Sequence, residues 1–233
     1  MSYLDDLDLD DLPANMVTAQ SPPAVIASIT RRSPNVRHSA EQPNWQTPAE
    51  DIDCARIALG PRTDGAGGSI ALDPFSCLSG NLRVRADRYF GPDNNFDGFV
   101  MPWIAETVFI NHPGKTTKRS WLKMCAELAA GHFRRAVWVG FSVEQLCILS
   151  EPTELSASDR WGCGAFVPTD FSICFLRKRI HFIDPDAPDR ESRPGHANYI
   201  LGIGTSIDAF EQAYRHRGQI VHGALALLKG SNS

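Results

Sequence analysis

None of the six cysteines, Cys54, Cys77, Cys125, Cys147, Cys163 and Cys174, stands in a C-x-x-C pair. Zinc ligands usually come in close pairs, so no metal site is expected and the thiols read as reduced and mostly buried. No apolar run approaches the ~18 residues of a membrane-spanning helix. The sequence has no G-x-G-x-x-G, no Walker A loop and no G-x-S-x-G elbow, which removes the usual marks of dinucleotide binding, P-loop phosphate binding and α/β-hydrolase chemistry. It has no internal repeat, which argues against a solenoid. The opening stretch, Met1 to Leu12, is acidic and lacks both a basic flank and an apolar centre. It does not read as a secretory signal, and the expected location is cytoplasmic.

Also missing is a strong excess of positive charge: the net charge is −4 over 233 residues. Residues 1–43 carry Asp5, Asp6, Asp8, Asp10, Asp11 and Glu41 against Arg31, Arg32 and Arg37, which accounts for −3 of that total. The remainder is close to neutral but has local basic clusters. Lys115, Lys118, Arg119 and Lys123 form one, with Arg134 and Arg135 further on; Arg177, Lys178 and Arg179 form another. Such clusters can follow a phosphate backbone, and they are equally the solvated ends of helices and strands.

Hydrophobic content of 42% and charged content of 21% are ordinary for a globular chain. Residues 1–43, rich in Asp, Ser, Pro and Ala, bury too little apolar surface to offset their ordering entropy and are expected to be disordered. Leu4, Leu7, Leu9 and Leu12 alternate with Asp there and offer a docking element for a partner. From residue 44 onward the pattern is that of one folded domain reaching to about 229. Helices are expected at Thr47–Leu59, Ser79–Asp87, Trp121–Ala130, Glu144–Leu149 and Asp208–Arg215. Strands are expected at Ser69–Leu72, Thr107–Ile110, Ala136–Val139, Ser172–Leu176, Ile180–Ile183, Tyr199–Ile203 and Gln219–Val221. The alternation of strand and helix predicts an α/β fold with a largely parallel sheet and helices on both faces.

Open α/β sheets bind ligands at the carboxyl ends of their strands. Two strand ends carry suitable chemistry: Leu72-Asp73-Pro74-Phe75-Ser76 and Ile110-Asn111-His112-Pro113-Gly114. An acidic residue at a strand end can hold a ribose or a cationic group, and an Asn oxygen with a nearby backbone carbonyl can accept hydrogen bonds from an amine. Taken singly, each is also an ordinary turn, since Asp-Pro and Pro-Gly are common turn dipeptides.

Read in order, these segments resemble a known family. Asn44-Trp45-Gln46-Thr47-Pro48, Asp73-Pro74-Phe75-Ser76, Asn81 through Arg88-Tyr89-Phe90, Asp97-Gly98, Pro102-Trp103 and Val108-Phe109-Ile110-Asn111-His112-Pro113 are similar to the phage-type DNA adenine N6-methyltransferases. That family shows a W-x-T-P start, a D-P-x-S segment, an R-Y-F segment, a D-G segment followed by Trp, and an N-P-P-Y motif. Phe175 to Phe182 resembles its arginine-rich strand pair, and Pro194-Gly195-His196-Ala197-Asn198 its closing hairpin. The resemblance implies a Rossmann-like class I methyltransferase fold, S-adenosylmethionine as cofactor and double-stranded DNA as partner. It also implies roles. Thr47, Pro48, Asp73, Pro74, Phe75 and Asp97 would bind the cofactor. Asn111, His112, Pro113 and Gly114 would form the catalytic segment. Asn111 and the His112 carbonyl would accept hydrogen bonds from the exocyclic amine of a flipped adenine. Lys115, Lys118, Arg119, Arg177, Lys178 and Arg179 would contact DNA, with the loops at 151–169 and 184–194, Arg190 and Arg193 included, reading its sequence.

The catalytic segment departs from the family pattern, with N-H-P-G in place of N-P-P-Y. His for Pro keeps a backbone carbonyl. Gly for Tyr removes a ring on which a base would stack, a contact worth roughly 1–3 kcal/mol. Phe141 and Trp121 are the rings expected to compensate. Two alternatives stay open: the same fold with different base-modifying chemistry, and a non-catalytic DNA- or protein-binding relative.

Overall fold

The structure, a computed structural model, describes residues 45–65, 68–146, 171–184 and 196–223. The expectations for residues 1–43, for the loop at 151–169, for Arg190 and Arg193, and for most of the short helix at 144–149 lie outside the described residues.

Helix α1 (Ala49–Leu59) follows Pro48, which takes the N-cap position without a side-chain cap; Thr47 does not cap it. Glu50 and Asp51 occupy its first turn, where the helix dipole favours negative charge. Gly60, at φ +66°, closes it. Strand β1 (Leu72–Asp73) is short, and helix α2 (Leu78–Val84) begins behind Cys77, whose sulfur accepts from the Gly80 N–H. This helix ends earlier than the sequence pattern predicted. Arg85 turns left-handed, Asn81 clasps the backbone of Ala86 from both ends of its amide, and Arg88–Tyr89 becomes strand β2. Strand β3 (Thr107–Ile110), helix α3 (Thr117–Ala129), strand β4 (Arg135–Gly140), strand β5 (Phe171–Leu176), strand β6 (Tyr199–Ile203), helix α4 (Ile207–Tyr214) and strand β7 (Gly218–His222) follow. The expected strand at 180–183 does not form. Ile183 makes only an isolated antiparallel bridge to Gln46, and that bridge pins the segment before α1 against the body of the fold.

The strands form one mixed sheet in the order β2-β1-β3-β4-β6-β5-β7. The parallel character expected from the strand–helix alternation holds for β2, β1, β3 and β4. From β4 onward every pairing is antiparallel. Strand alternation sends residues to two cores. Phe109, Val137, Val139, Cys174 and Ile200 pack with α1 and α4 on one face. Val108, Ile110, Ala136, Trp138, Ile173 and Leu201 pack with α3 on the other. The fold is therefore α/β, with helices covering both faces of the sheet. Among the described residues no helix is long and apolar enough to cross a membrane.

Chain order along the sheet reverses between β1 and β3: from β1 the chain passes to β2 on one side, then crosses to β3 on the other. A reversal of this kind leaves a crevice at the carboxyl ends of the two strands.

Candidate functional site

Both sequence-predicted strand ends open into that crevice. A cavity of about 650 Å³ lies there, within the range of small-molecule sites. Asp73, Phe75 and Ser76 line it from the end of β1; Asn111, His112, Pro113, Gly114 and Lys115 line it from the end of β3; Trp45, Gln46 and Thr47 line it from the segment before α1. The structure thus brings together Thr47, Asp73, Phe75, Asn111, His112, Pro113, Gly114 and Lys115 from the residues singled out by sequence.

Asn111 is the best defined of these. Its Nδ2 donates to the Trp45 carbonyl at 3.2 Å, which orients the amide and leaves Oδ1 as a buried acceptor with no partner. The Gln46–Ile183 bridge holds the Trp45 segment in place, so this orientation rests on backbone contacts.

His112 is buried, with its ring 4.5 Å from that of Trp138 and 4.7 Å from that of Phe141. Its Nδ1 lies 3.1 Å from the Pro113 carbonyl. A carbonyl only accepts, so Nδ1 carries the proton and Nε2 is an acceptor, buried and without a partner. Burial pushes the imidazole down to about 4 against the Pro113 hydrogen bond, so it is neutral at physiological pH.

Asp73 is buried at the end of β1. Its Oδ1 accepts from the Phe75 N–H at 3.2 Å, and it makes no salt bridge among the described residues. Burial raises its carboxyl to about 7, against the opposing pull of the Phe75 and Ser76 hydrogen bonds. Thr47 is buried, and its Oγ1 also lacks a partner.

Buried polar atoms are almost always paired, so a concentration of unpaired ones calls for an explanation. Thr47 Oγ1, Asn111 Oδ1, His112 Nε2 and Gln145 Oε1 all belong to residues that line this one cavity. Among the described residues no three His, Cys, Asp or Glu side chains gather to hold a metal ion.

Other sequence-predicted residues sit elsewhere. Pro48 caps α1, and Pro74 is buried and does not line the cavity. Asp97 is exposed and does not line the cavity: its Oδ1 accepts from the Phe99 N–H at 2.8 Å and shapes a turn. The next residue explains the Asp-Gly pair, because a Cβ on Gly98 would lie 1.8 Å from the Pro74 carbonyl oxygen. The pair fastens this turn onto the β1 corner. Lys118 is exposed on α3, and the Arg119 guanidinium lies 4.0 Å from the centre of the Phe99 ring. Arg177, Lys178 and Arg179 are exposed beyond the end of β5 and do not line the cavity. Two members of the basic clusters are internal ties. Lys123 is buried in an ion pair with Glu127, and Arg135 binds Glu106 and the carbonyls of Leu59 and Pro61.

Sequence reading missed Gln145 and Phe182 as cavity residues. Gln145 carried no motif. Phe182 sat in a segment predicted as a strand. The pairing of Trp45 with Asn111, across 66 positions, had no local signal. Of the two rings expected to compensate at Gly114, Phe141 lines the cavity, whereas Trp121 is buried in the α3 core, edge-on to Trp138 at 5.5 Å.

No family model matches this chain, and no curated protein or solved structure matches it significantly.

Proposed function

We propose that the protein is an S-adenosylmethionine-dependent DNA methyltransferase that modifies the exocyclic amine of a flipped adenine, on a Rossmann-like class I methyltransferase sheet. The observation that carries this reading is Asn111 Oδ1: a buried acceptor with no partner, oriented by Trp45, at a strand end beside the point where the strand order reverses. An acceptor so placed fits an amino group. A hydrogen bond from the amine raises lone-pair density on its nitrogen and directs it, and a site closed to water strengthens that effect.

The residues of the β1 corner fit a cationic, partly apolar cofactor. Asp73 offers a buried carboxyl without a cationic partner among the described residues, Phe75 an apolar wall, and Thr47 an unpaired hydroxyl. When bound, S-adenosylmethionine supplies an electrophilic methyl group on a sulfonium. His112, neutral and held by Pro113, stiffens the segment that carries Asn111. Lys115 at the cavity edge, with Lys118, Arg177, Lys178 and Arg179 on exposed surface, offers charge for phosphates outside the pocket.

Purified protein, methyl-labelled S-adenosylmethionine and unmodified double-stranded DNA, followed by digestion to nucleosides, test this reading. Label in N6-methyldeoxyadenosine is the expected result. Label in another nucleoside would indicate altered base chemistry on the same fold. The absence of both label and cofactor binding would leave a non-catalytic relative.

A further inference from the structure

The His112 ring is held on two sides, by Trp138 at 4.5 Å and an interplanar angle of 33°, and by Phe141 at 4.7 Å and 77°. It is 1% exposed. A phenylalanine would fill such a slot without burying a polar atom. A histidine kept for packing alone has both ring nitrogens paired, because a buried unpaired one costs stability. Here only Nδ1 is paired, donating to the Pro113 carbonyl at 3.1 Å. Nε2 is left as a buried acceptor with no partner, in a residue that lines the cavity directly after Asn111. The groups that hold the ring, Trp138, Phe141 and Pro113, carry no charge. Burial pushes the imidazole down to about 4, so Nε2 is bare at neutral pH.

An exocyclic amine has two hydrogens, and the reading above gives one of them to Asn111 Oδ1. We infer that His112 Nε2 accepts the other and is the group that takes it as a proton during methyl transfer. This deepens the methyltransferase reading and rests on it. The resemblance gave the second hydrogen to the His112 carbonyl, which accepts a hydrogen bond but does not hold a proton at neutral pH; the imidazole does both. As the amine nitrogen bonds to the methyl carbon, the carbon–sulfur bond breaks and its electron pair returns to sulfur. One N–H proton passes to Nε2. The substrate ends as a neutral secondary amine, and the positive charge that began on the sulfonium ends on the imidazole. The proton leaves to water once the product departs. An adenine amine with a fourth substituent is a strong acid, so a weakly basic imidazole is sufficient. The Trp138 ring beside His112 favours the cation while it lasts.

The first readout is independent of methyl transfer. Nitrogen-15 NMR of the full-length protein with labelled histidine, His112 being assigned by its loss in His112→Phe, is expected to show Nδ1 protonated and Nε2 bare. Deoxyadenosine 5′-monophosphate should move the Nε2 resonance upfield; the same nucleotide of unsubstituted purine, which has no amine, should leave it in place. The second readout is single-turnover methyl transfer to DNA at saturating S-adenosylmethionine, with a melting temperature for every variant. His112→Phe, and His112→Asn, which accepts a hydrogen bond but takes no proton, should each lower the rate by about 10²- to 10⁴-fold while melting close to the wild type. His112→Ala should recover part of its rate when imidazole is added, and the recovery should rise with the basicity of substituted imidazoles. A ring that acts only by packing gives no such dependence. The proton-acceptor role is overturned if Nε2 carries the proton in the free protein, if the amine-bearing nucleotide leaves its resonance unmoved, or if His112→Phe methylates at the wild-type rate. That last result would leave the methyltransferase reading intact. An amine-dependent shift in a wild type that methylates nothing would remove the methyltransferase reading and the proton transfer with it, leaving a bound amine.

Discussion

The Glu127 cluster under α3 and the cluster around Asn111 are both buried and both polar, but only the first is complete. Glu127 accepts from Lys123, from the Trp103 N–H at 2.7 Å and from His132 at 2.6 Å. Burial alone would raise its carboxyl; these three donors outweigh it and hold the group below its ordinary value. The cavity cluster has carboxyl, amide, imidazole and hydroxyl groups, several of them with an atom that pairs with nothing. A closed network ties α3 to the turn before β3 and is explained by folding alone. An open network has a cost that folding does not recover, and a ligand is the simplest completion.

Substitutions in the two clusters should therefore have opposite consequences. Glu127→Ala removes the partner of a buried lysine and should cost about 3–5 kcal/mol of stability, read by chemical denaturation. Asn111→Ala removes an acceptor used only by a ligand. Methyl transfer should fall by about 10²–10³-fold, as for other lost donors or acceptors at a reacting group. The single bond to Trp45 limits the stability loss to about 1 kcal/mol. Thr47→Val, nearly isosteric, should leave stability unchanged or slightly raised while weakening cofactor binding, since it replaces a buried hydroxyl that has no partner.

Asp73 separates the two clusters by pH. Burial raises its carboxyl from 3.8 to about 7, so the fold favours the neutral acid. Its contribution to stability is greatest below 3.8 and declines as the pH rises towards 7. A cationic ligand favours the ionised form. Affinity for S-adenosylmethionine should thus increase up to about pH 7 and level off above it, and Asp73→Asn should flatten that profile. The smallest effect is expected at the exposed basic residues. Arg177→Ala, Lys178→Ala and Arg179→Ala should each lower the salt dependence of DNA binding by about one unit of slope and change stability by less than about 0.5 kcal/mol.

The same contrast accounts for what could be read from sequence. Strands such as Thr107–Ile110 and Tyr199–Ile203 were legible to the residue because they are short apolar runs buried on both faces. The site at Asn111 was legible because a polar segment directly follows such a run. Strand β2 was not, because Arg88 and Tyr89, just past the expected helix, become a strand only by pairing with β1. The bridge from Gln46 to Ile183, in place of a strand at 180–183, depends on two segments 137 positions apart. Asp97 resembled a ligand-binding residue in sequence, yet the structure uses it to shape the turn that packs Gly98 on Pro74. Charge alone did not separate Lys123 from Lys118. The α3 periodicity places one inside and the other on the surface.

The most direct test compares label transfer from S-adenosylmethionine to DNA by the wild type and by Asn111→Ala, with both melting temperatures in hand. The expected result is N6-methyldeoxyadenosine from the wild type, at least about 100-fold less from the variant, and a melting temperature lowered by no more than a few degrees. Transfer by Asn111→Ala at the wild-type rate would contradict the assignment of this cavity as the site of methylation.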